Sequence, residues 1–181
     1  LSAAKKRKAK LVYLSNPDNP MGTFHNKEDI QEFINDIPDG TILCLDEAYS
    51  DFVDKNELAS INLEKENIIR FRTFSKAYGL AGLRVGYGIG NKKMVKAFNK
   101  VRNHFGVNKL GQIAAKVALE DQEHLKAVLK KVGQSKKDIA SIFKKFGFNS
   151  LVSRTNFVPI NSGGNGEFAA RLMNRLIQEK I

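Results

Sequence analysis

Tryptophan is absent from this chain and cysteine occurs once, at Cys44. A single thiol cannot close an internal disulfide, which excludes the stapled scaffolds of small secreted proteins and points to a reducing compartment, with the cytoplasm expected. Cys44 lies in an apolar strand pattern, where core packing accounts for it. Histidine is nearly as scarce, and His25, His104 and His124 are too far apart to form a ligand spacing, so no metal site is expected. No apolar run is long enough to span a bilayer, and neither a signal peptide nor an internal repeat is expected, nor a membrane partner. Acidic residues are the minority charge, 19 against 30 Lys and Arg, for a formal net charge of +11. The surplus is spread along helix faces, at Lys92, Lys93, Lys96, Lys126, Lys130 and Lys137 among others, with little aromatic interleaving. That distribution reads as solvated helical surface rather than a nucleic-acid groove. The cluster from Lys5 to Lys10 reads as a helix end taken from its context rather than as a targeting signal.

Against these absences stand three segments that carry chemistry. The most informative runs Thr73-Phe74-Ser75-Lys76-Ala77-Tyr78-Gly79-Leu80-Ala81-Gly82-Leu83-Arg84-Val85-Gly86. A lysine used as a covalent amine must shed its proton near neutral pH, which favours a partly desolvated place near other cations, and Lys76 suits that need. The hydroxyls of Thr73 and Ser75, with the planar donor fork of Arg84, suit a dianionic phosphate. The second segment, Ser15-Asn16-Pro17-Asp18-Asn19-Pro20-Met21-Gly22, follows the apolar run Leu11 to Leu14 and reads as a strand entering a rigid turn that presents Asn19 in a fixed orientation. The third, Thr41 to Phe52, reads as a buried strand with Asp46 at its carboxyl end, where open α/β sheets bind ligands. Taken singly, each residue also has a plainer structural reading: a loop lysine at 76, a helix cap at 46, a surface ion pair at 84, a turn asparagine at 19.

Taken in order, N-P-x-N-P-x-G, D-E-x-Y and T-x-S-K-x-x-G-L-A-G-x-R-x-G resemble the pyridoxal-phosphate aminotransferases of fold type I, in the aspartate aminotransferase superfamily. The nearest likeness is to the histidinol-phosphate aminotransferases. It runs from about Lys10 to Ile181 and is densest between Asn16 and Gly88. The resemblance implies pyridoxal 5'-phosphate as cofactor and Lys76 as the Schiff-base lysine and proton carrier. It implies Asp46 as the partner of the pyridine nitrogen, and Tyr49 and Asn19 as donors to the phenolic oxygen. Thr73, Ser75 and Arg84 would hold the phosphate, and Asn156, with Asn19, would lie near the substrate. Lys76, Asp46 and Tyr49 are the implied catalytic residues. The implied reaction is amino transfer between histidinol phosphate and 2-oxoglutarate in histidine biosynthesis, by a homodimer acting on a small amino acid, keto acid or phosphorylated substrate. Another class I or II aminotransferase, or an enzyme like the threonine-phosphate decarboxylases, carries the same motifs. A non-catalytic chain that mainly supports association is the reading from a different class.

The family is about twice as long as these 181 residues, and the first residue is Leu1 rather than methionine, so a partial chain is expected. The expected fold is α/β: part of the three-layer large domain with its linking helix over 1–146, and the beginning of an α+β small domain over 147–181. Strands are expected at Leu11–Leu14, Ile42–Leu45, Ile68–Phe74 and Arg84–Ile89, separated by helix-like segments. A helix is expected from Asn26 to Asp36, capped by Asn26 and buried through Ile30, Phe33, Ile34 and Ile37, with a turn at Pro38-Asp39-Gly40. Apolar stripes at Met94, Val95, Phe98 and Val101, and at Ile113, Ala114, Val117, Ala118 and Leu119, predict two more helices. After a break near Asp121, a long helix is expected from Glu123 to Phe146. Gly147 to Ser162 predicts a hairpin turning at Asn149-Ser150, with Asn156-Phe157-Val158 on its second strand. Ser162 to Gly166 is expected to be a loop, and Glu167 to Ile181 an amphipathic helix.

Overall fold

The computed structural model describes residues 1–180. A short helix α1 (Ser2–Lys6) leads into β1 (Leu11–Ser15), helix α2 (Lys27–Asn35) and β2 (Ile42–Asp46). Strand β3 (Ile68–Thr73) and strand β4 (Gly86–Gly90) complete one sheet in the order β1-β2-β3-β4. The first three strands are parallel and β4 returns antiparallel to β3. Among the described residues, α2 is the one α-helix between consecutive strands of this sheet. Between β2 and β3 the chain makes 3₁₀ turns at Ser50–Phe52 and Lys55–Glu57, and between β3 and β4 another at Ala81–Leu83, where helix-like segments were expected.

Helix α2 begins where its sequence directs, because the Asn26 side chain accepts from the Asp29 backbone N–H at 2.8 Å. Ile30, Ile34 and the following Ile37 then face the sheet and pack with Leu43, Leu45, Ala59 and Ile68. Leu43 and Leu45 are sealed at 0% and 1% exposure, each contributing about 1.5–3 kcal/mol by leaving water. Residues on the opposite face of the sheet, Tyr13, Cys44, Asp46 and Phe71, meet far less protein, with Phe98 edge-on to Phe71 at 6.3 Å. Cys44 therefore does not sit in the core as its apolar surroundings suggested. It is half-buried on the open face, and partial burial pushes its thiol up. A second cluster joins Phe74, Val85 and Ala115 to Tyr78, Leu80, Leu83 and Ala118.

The expected helices appear as α3 (Lys92–Val101), α4 (Lys109–Glu120) and α5 (Gln122–Lys145), with Asp121 ending α4 and capping α5 through the His124 N–H. The apolar stripes of α3 and α4 are only partly packed: Val101 is 81% exposed and Val117 57% exposed. Beyond α5 the hairpin differs from expectation. Asn149–Ser150 is itself a strand, β5, pairing antiparallel with β6 (Ile160–Asn161), whereas Asn156, Phe157 and Val158 lie in the connection. That connection is held by contacts distant in sequence. Lys136 of α5 donates to the carbonyls of Ser153 and Thr155 at 2.8 and 2.9 Å, and the Arg154 N–H donates to the Gly22 carbonyl at 2.9 Å. Helix α6 (Gly166–Gln178) follows, capped by Asn165. The helix was expected to reach Ile181, which lies outside the described residues.

Candidate active site

The three parallel strands end at one edge, and each delivers one of the segments singled out in the sequence. At the end of β1 the chain turns sharply, pinned by Asn16, which is 5% exposed, donates to the His25 carbonyl at 3.0 Å and accepts from the His25 N–H at 2.8 Å. Gly22 closes the turn at φ +68°, with its N–H on the Asp18 carbonyl. The turn projects Asn19 toward the strand next door, where its amide donates to the Tyr49 hydroxyl at 3.0 Å.

Asp46 is the last residue of β2. Its Oδ1 accepts from the Ala48 N–H at 2.9 Å, and its Oδ2 accepts from the Tyr13 hydroxyl. The next residue, Glu47, is buried at 3% exposure between two arginines: Arg72 Nε lies 2.9 Å and Arg70 Nη2 3.6 Å from its carboxylate. Arg70 spends both terminal nitrogens on the Ala59 carbonyl at 3.0 Å, and burial lowers its pKa despite Glu47. For Arg72, burial is again the largest single influence and pulls downward, but the charge and hydrogen bond of Glu47, together with Tyr87, outweigh it and the net shift is upward. This network fixes the start of the turn that ends at Tyr49, which is 5% exposed.

Beyond β3, Phe74 and Ala77 are buried at 4% and 1%, which anchors the backbone on both sides of Lys76 and leaves its side chain at the surface of the site. The Lys76 amine stands 5.3 Å from the centre of the Tyr49 ring. Such a separation suits a cation–π contact when the amine is charged. The loop is closed by Phe74 N–H to the Val85 carbonyl, Leu80 N–H to the Phe74 carbonyl, and Gly79 at φ +71°. Thr73 Oγ1 accepts from the Ser75 N–H at 3.0 Å.

Lys76, Tyr49 and Asn19 are thus brought into one chain of contacts, with Asp46 at the same sheet edge. Ser75 directly precedes Lys76, and Thr73, at the end of β3, is tied to it through the Ser75 N–H. Arg84 adopts the left-handed conformation at φ 55°, is exposed, and donates to the Ala81 carbonyl at 2.8 Å; among the described residues no hydrogen bond joins it to Thr73 or Ser75. It also precedes β4 rather than opening it, as the expected strand Arg84–Ile89 would have it. Asn156 is exposed, but its neighbour Phe157 meets Tyr49 edge-on at 5.6 Å, so the connection reaches the site. Three contributors were missed in the sequence: Tyr13, Glu47 and Phe157. Tyr13 carried a signal in its spacing, two residues from Ser15 on a strand beside β2, which places it on the Asp46 face.

Comparison with known proteins places the chain in a family. The family described as aminotransferase class I and II matches over residues 1–181. The chain belongs to that family. It is 39% identical over 166 residues to histidinol-phosphate aminotransferase 2 of Carboxydothermus hydrogenoformans, covering 90% of this chain and 46% of that protein. It is 40% identical over 166 residues to histidinol-phosphate aminotransferase of Desulfotalea psychrophila, covering 88% and 44%. A crystal structure of histidinol-phosphate aminotransferase from Sinorhizobium meliloti in complex with pyridoxal-5'-phosphate superimposes with a TM-score of 0.96 at 42% identity, covering 99% of this chain and 49% of that one. L-threonine-O-3-phosphate decarboxylase from Porphyromonas gingivalis follows at a TM-score of 0.79 and 27% identity, covering 94% and 52%. The chain spans about half the length of the curated relatives it matches. Its mixed α/β architecture, with a parallel-rich sheet, is that of the aminotransferases.

Proposed function

We propose that the protein is a pyridoxal-phosphate-dependent aminotransferase that exchanges an amino group between histidinol phosphate and 2-oxoglutarate. The observation that carries this reading is the Lys76 amine 5.3 Å from the Tyr49 ring, whose hydroxyl is held by Asn19, beside a strand-end carboxylate. The donor set fits the cofactor group by group: an amine for its aldehyde, a carboxylate for its ring nitrogen, an amide and a phenol for its phenolic oxygen, and hydroxyls for its phosphate. The names of the relatives support the substrate.

When bound, pyridoxal phosphate supplies an electron sink for the pair released at the substrate Cα. This chain's residues would do the rest. Lys76 would anchor the cofactor covalently and, once freed, take the proton from the substrate Cα and pass it to C4′, the cofactor carbon that carried the aldehyde. Asp46 would keep the ring nitrogen protonated. Asn19 and Tyr49 would orient the ring through its phenolic oxygen, and Thr73, Ser75 and Arg84 would hold the phosphate. The guanidinium of Arg84 would turn from the Ala81 carbonyl to do so. Asn19 and Asn156 would border the substrate. We place the cofactor-binding unit and its linking helix in residues 1–146 and the start of a smaller domain in 147–181. The active form is proposed to be a homodimer in the cytoplasm, and the lone Cys44 suits that compartment.

The test is reductive trapping with borohydride after addition of pyridoxal phosphate, followed by peptide mapping. Label on Lys76, lost in Lys76→Ala, is the expected outcome; label scattered over surface lysines would refute the covalent role and favour the association-only reading. Product analysis separates the reactions, because glutamate formed from 2-oxoglutarate marks amino transfer and carbon dioxide from a phosphorylated amino acid marks the decarboxylase alternative.

A further inference from the structure

We propose that Tyr13 is a positioning residue for Asp46, holding its carboxylate in the orientation that the cofactor's ring nitrogen requires. The proposal rests on the cofactor reading above. Tyr13 and Asp46 project from the same face of neighbouring parallel strands, Tyr13 opposite Cys44 and Ser15 opposite Asp46, so the phenol reaches diagonally along the face to Oδ2. The Ala48 N–H holds the other oxygen at 2.9 Å. With a donor on each oxygen, the carboxylate has one preferred plane. The alternative for a strand tyrosine, packing into a core, is excluded here, because Tyr13 is 59% exposed and its hydroxyl points to Asp46. The phenol's pKa is pushed up to about 12, first by that hydrogen bond, then by partial burial and the negative charge of Asp46, with smaller contributions from Asp18 and Cys44.

Catalytic groups fixed by a neighbour lose rate when that neighbour is removed, even if the fold is intact. Removing one hydrogen bond to a charged group corresponds to about a tenfold change or somewhat more. Tyr13→Phe keeps the ring and deletes only the donor.

Two measurements on the intact protein test the inference. In the cofactor-free protein, NMR of tyrosine labelled with carbon-13 at the ring carbon bearing oxygen follows each phenol with pH. The Tyr13 resonance, assigned by its loss in Tyr13→Phe, is expected to titrate well above the ordinary tyrosine value and to fall back in Asp46→Asn. A Tyr13 titration unaffected by Asp46→Asn overturns the contact and the proposal with it. In the protein loaded with pyridoxal phosphate, Tyr13→Phe is expected to weaken cofactor retention and to lower kcat about tenfold at little changed KM. Retention and kcat equal to wild type, with the visible band of bound cofactor present in both, overturn the positioning role while the cofactor reading stands. If neither protein acquires that band, the cofactor reading itself fails and the proposal falls with it.

Discussion

Gly22→Ala gives a measurable link between the turn that presents Asn19 and the chain beyond α5. Gly22 has φ +68°, a conformation that costs an L-residue about 1–2 kcal/mol. Space is lacking as well: a Cβ there would stand 2.5 Å from Ser153 Oγ, 2.9 Å from Ser153 Cβ and 3.2 Å from Ser153 Cα. Ser153 cannot swing away freely, because its hydroxyl is 2.8 Å from Thr155 Oγ1 and the next residue's N–H is bonded to Gly22 itself. Overpacking of this kind adds about 1–3 kcal/mol, so the total for Gly22→Ala is about 2–5 kcal/mol. Gly40 is the internal control, since it has φ +73° and nothing within 4 Å of its Cβ position. Gly40→Ala should cost the backbone term alone, about 1–2 kcal/mol. Urea unfolding at a common m-value gives both numbers. Ser153→Gly, combined with Gly22→Ala, should recover about 1 kcal/mol or more as a coupling energy. Equal losses for the two alanines, or zero coupling with Ser153, would refute the claim that the two segments are pressed together.

Further expectations concern charge. Glu47→Gln leaves Arg70, 3% exposed, and Arg72, 20% exposed, without their carboxylate, so a loss of about 3–5 kcal/mol is expected, read by thermal denaturation. The exposed pair Lys93–Glu66 is the contrast, and Glu66→Gln should leave the melting temperature unchanged. Because the folded-state pKa of Tyr13 lies above its unfolded value of 10.0, the folded chain holds that proton more tightly. Its stabilising contribution is therefore complete below pH 10 and is lost as the pH rises toward about 12. Unfolding midpoints through that window should fall more steeply for wild type than for Tyr13→Phe.

Local signals carried far in this sequence, and long-range ones did not. The Asn26 cap, the Ile30 and Ile34 stripe and the glycine turn at Gly40 bracket α2 to within a residue, because each acts over three or four positions. The Asp121 break works the same way, one side chain ending α4 and opening α5. The hairpin after α5 differs from expectation because its strands have only two residues each, and its connection is shaped by Lys136 and Gly22 as well as by its own Ser153 and Thr155. Cys44 was misplaced because an unbroken apolar run hides which face is covered. The residues that meet at the candidate site stand in motifs visible in the sequence, but their bracing does not, since the partners of Glu47 lie on another strand, at Arg70 and Arg72.

The dipeptide Asp46-Glu47 shows what the sheet adds to the motif. Two adjacent carboxylates have the same chemistry in the unfolded chain, yet the pleat sends them to opposite sides. Asp46 is level with Phe71 and shares its face with Tyr13, while Glu47 turns toward Arg70 and Arg72, the residues on either side of Phe71. One carboxylate is left half-buried on the open side at the strand ends, and its neighbour is consumed by an ion pair that sets the turn to Tyr49. Slipping β2 by one residue would exchange these positions, placing an acid among the apolar residues packed on α2 and taking the arginines' partner away. Leu43 and Leu45, buried against Ile30 and Ile34, forbid that slip. The apolar face of the sheet thereby decides which of the two acids stays available on the open face at the strand ends.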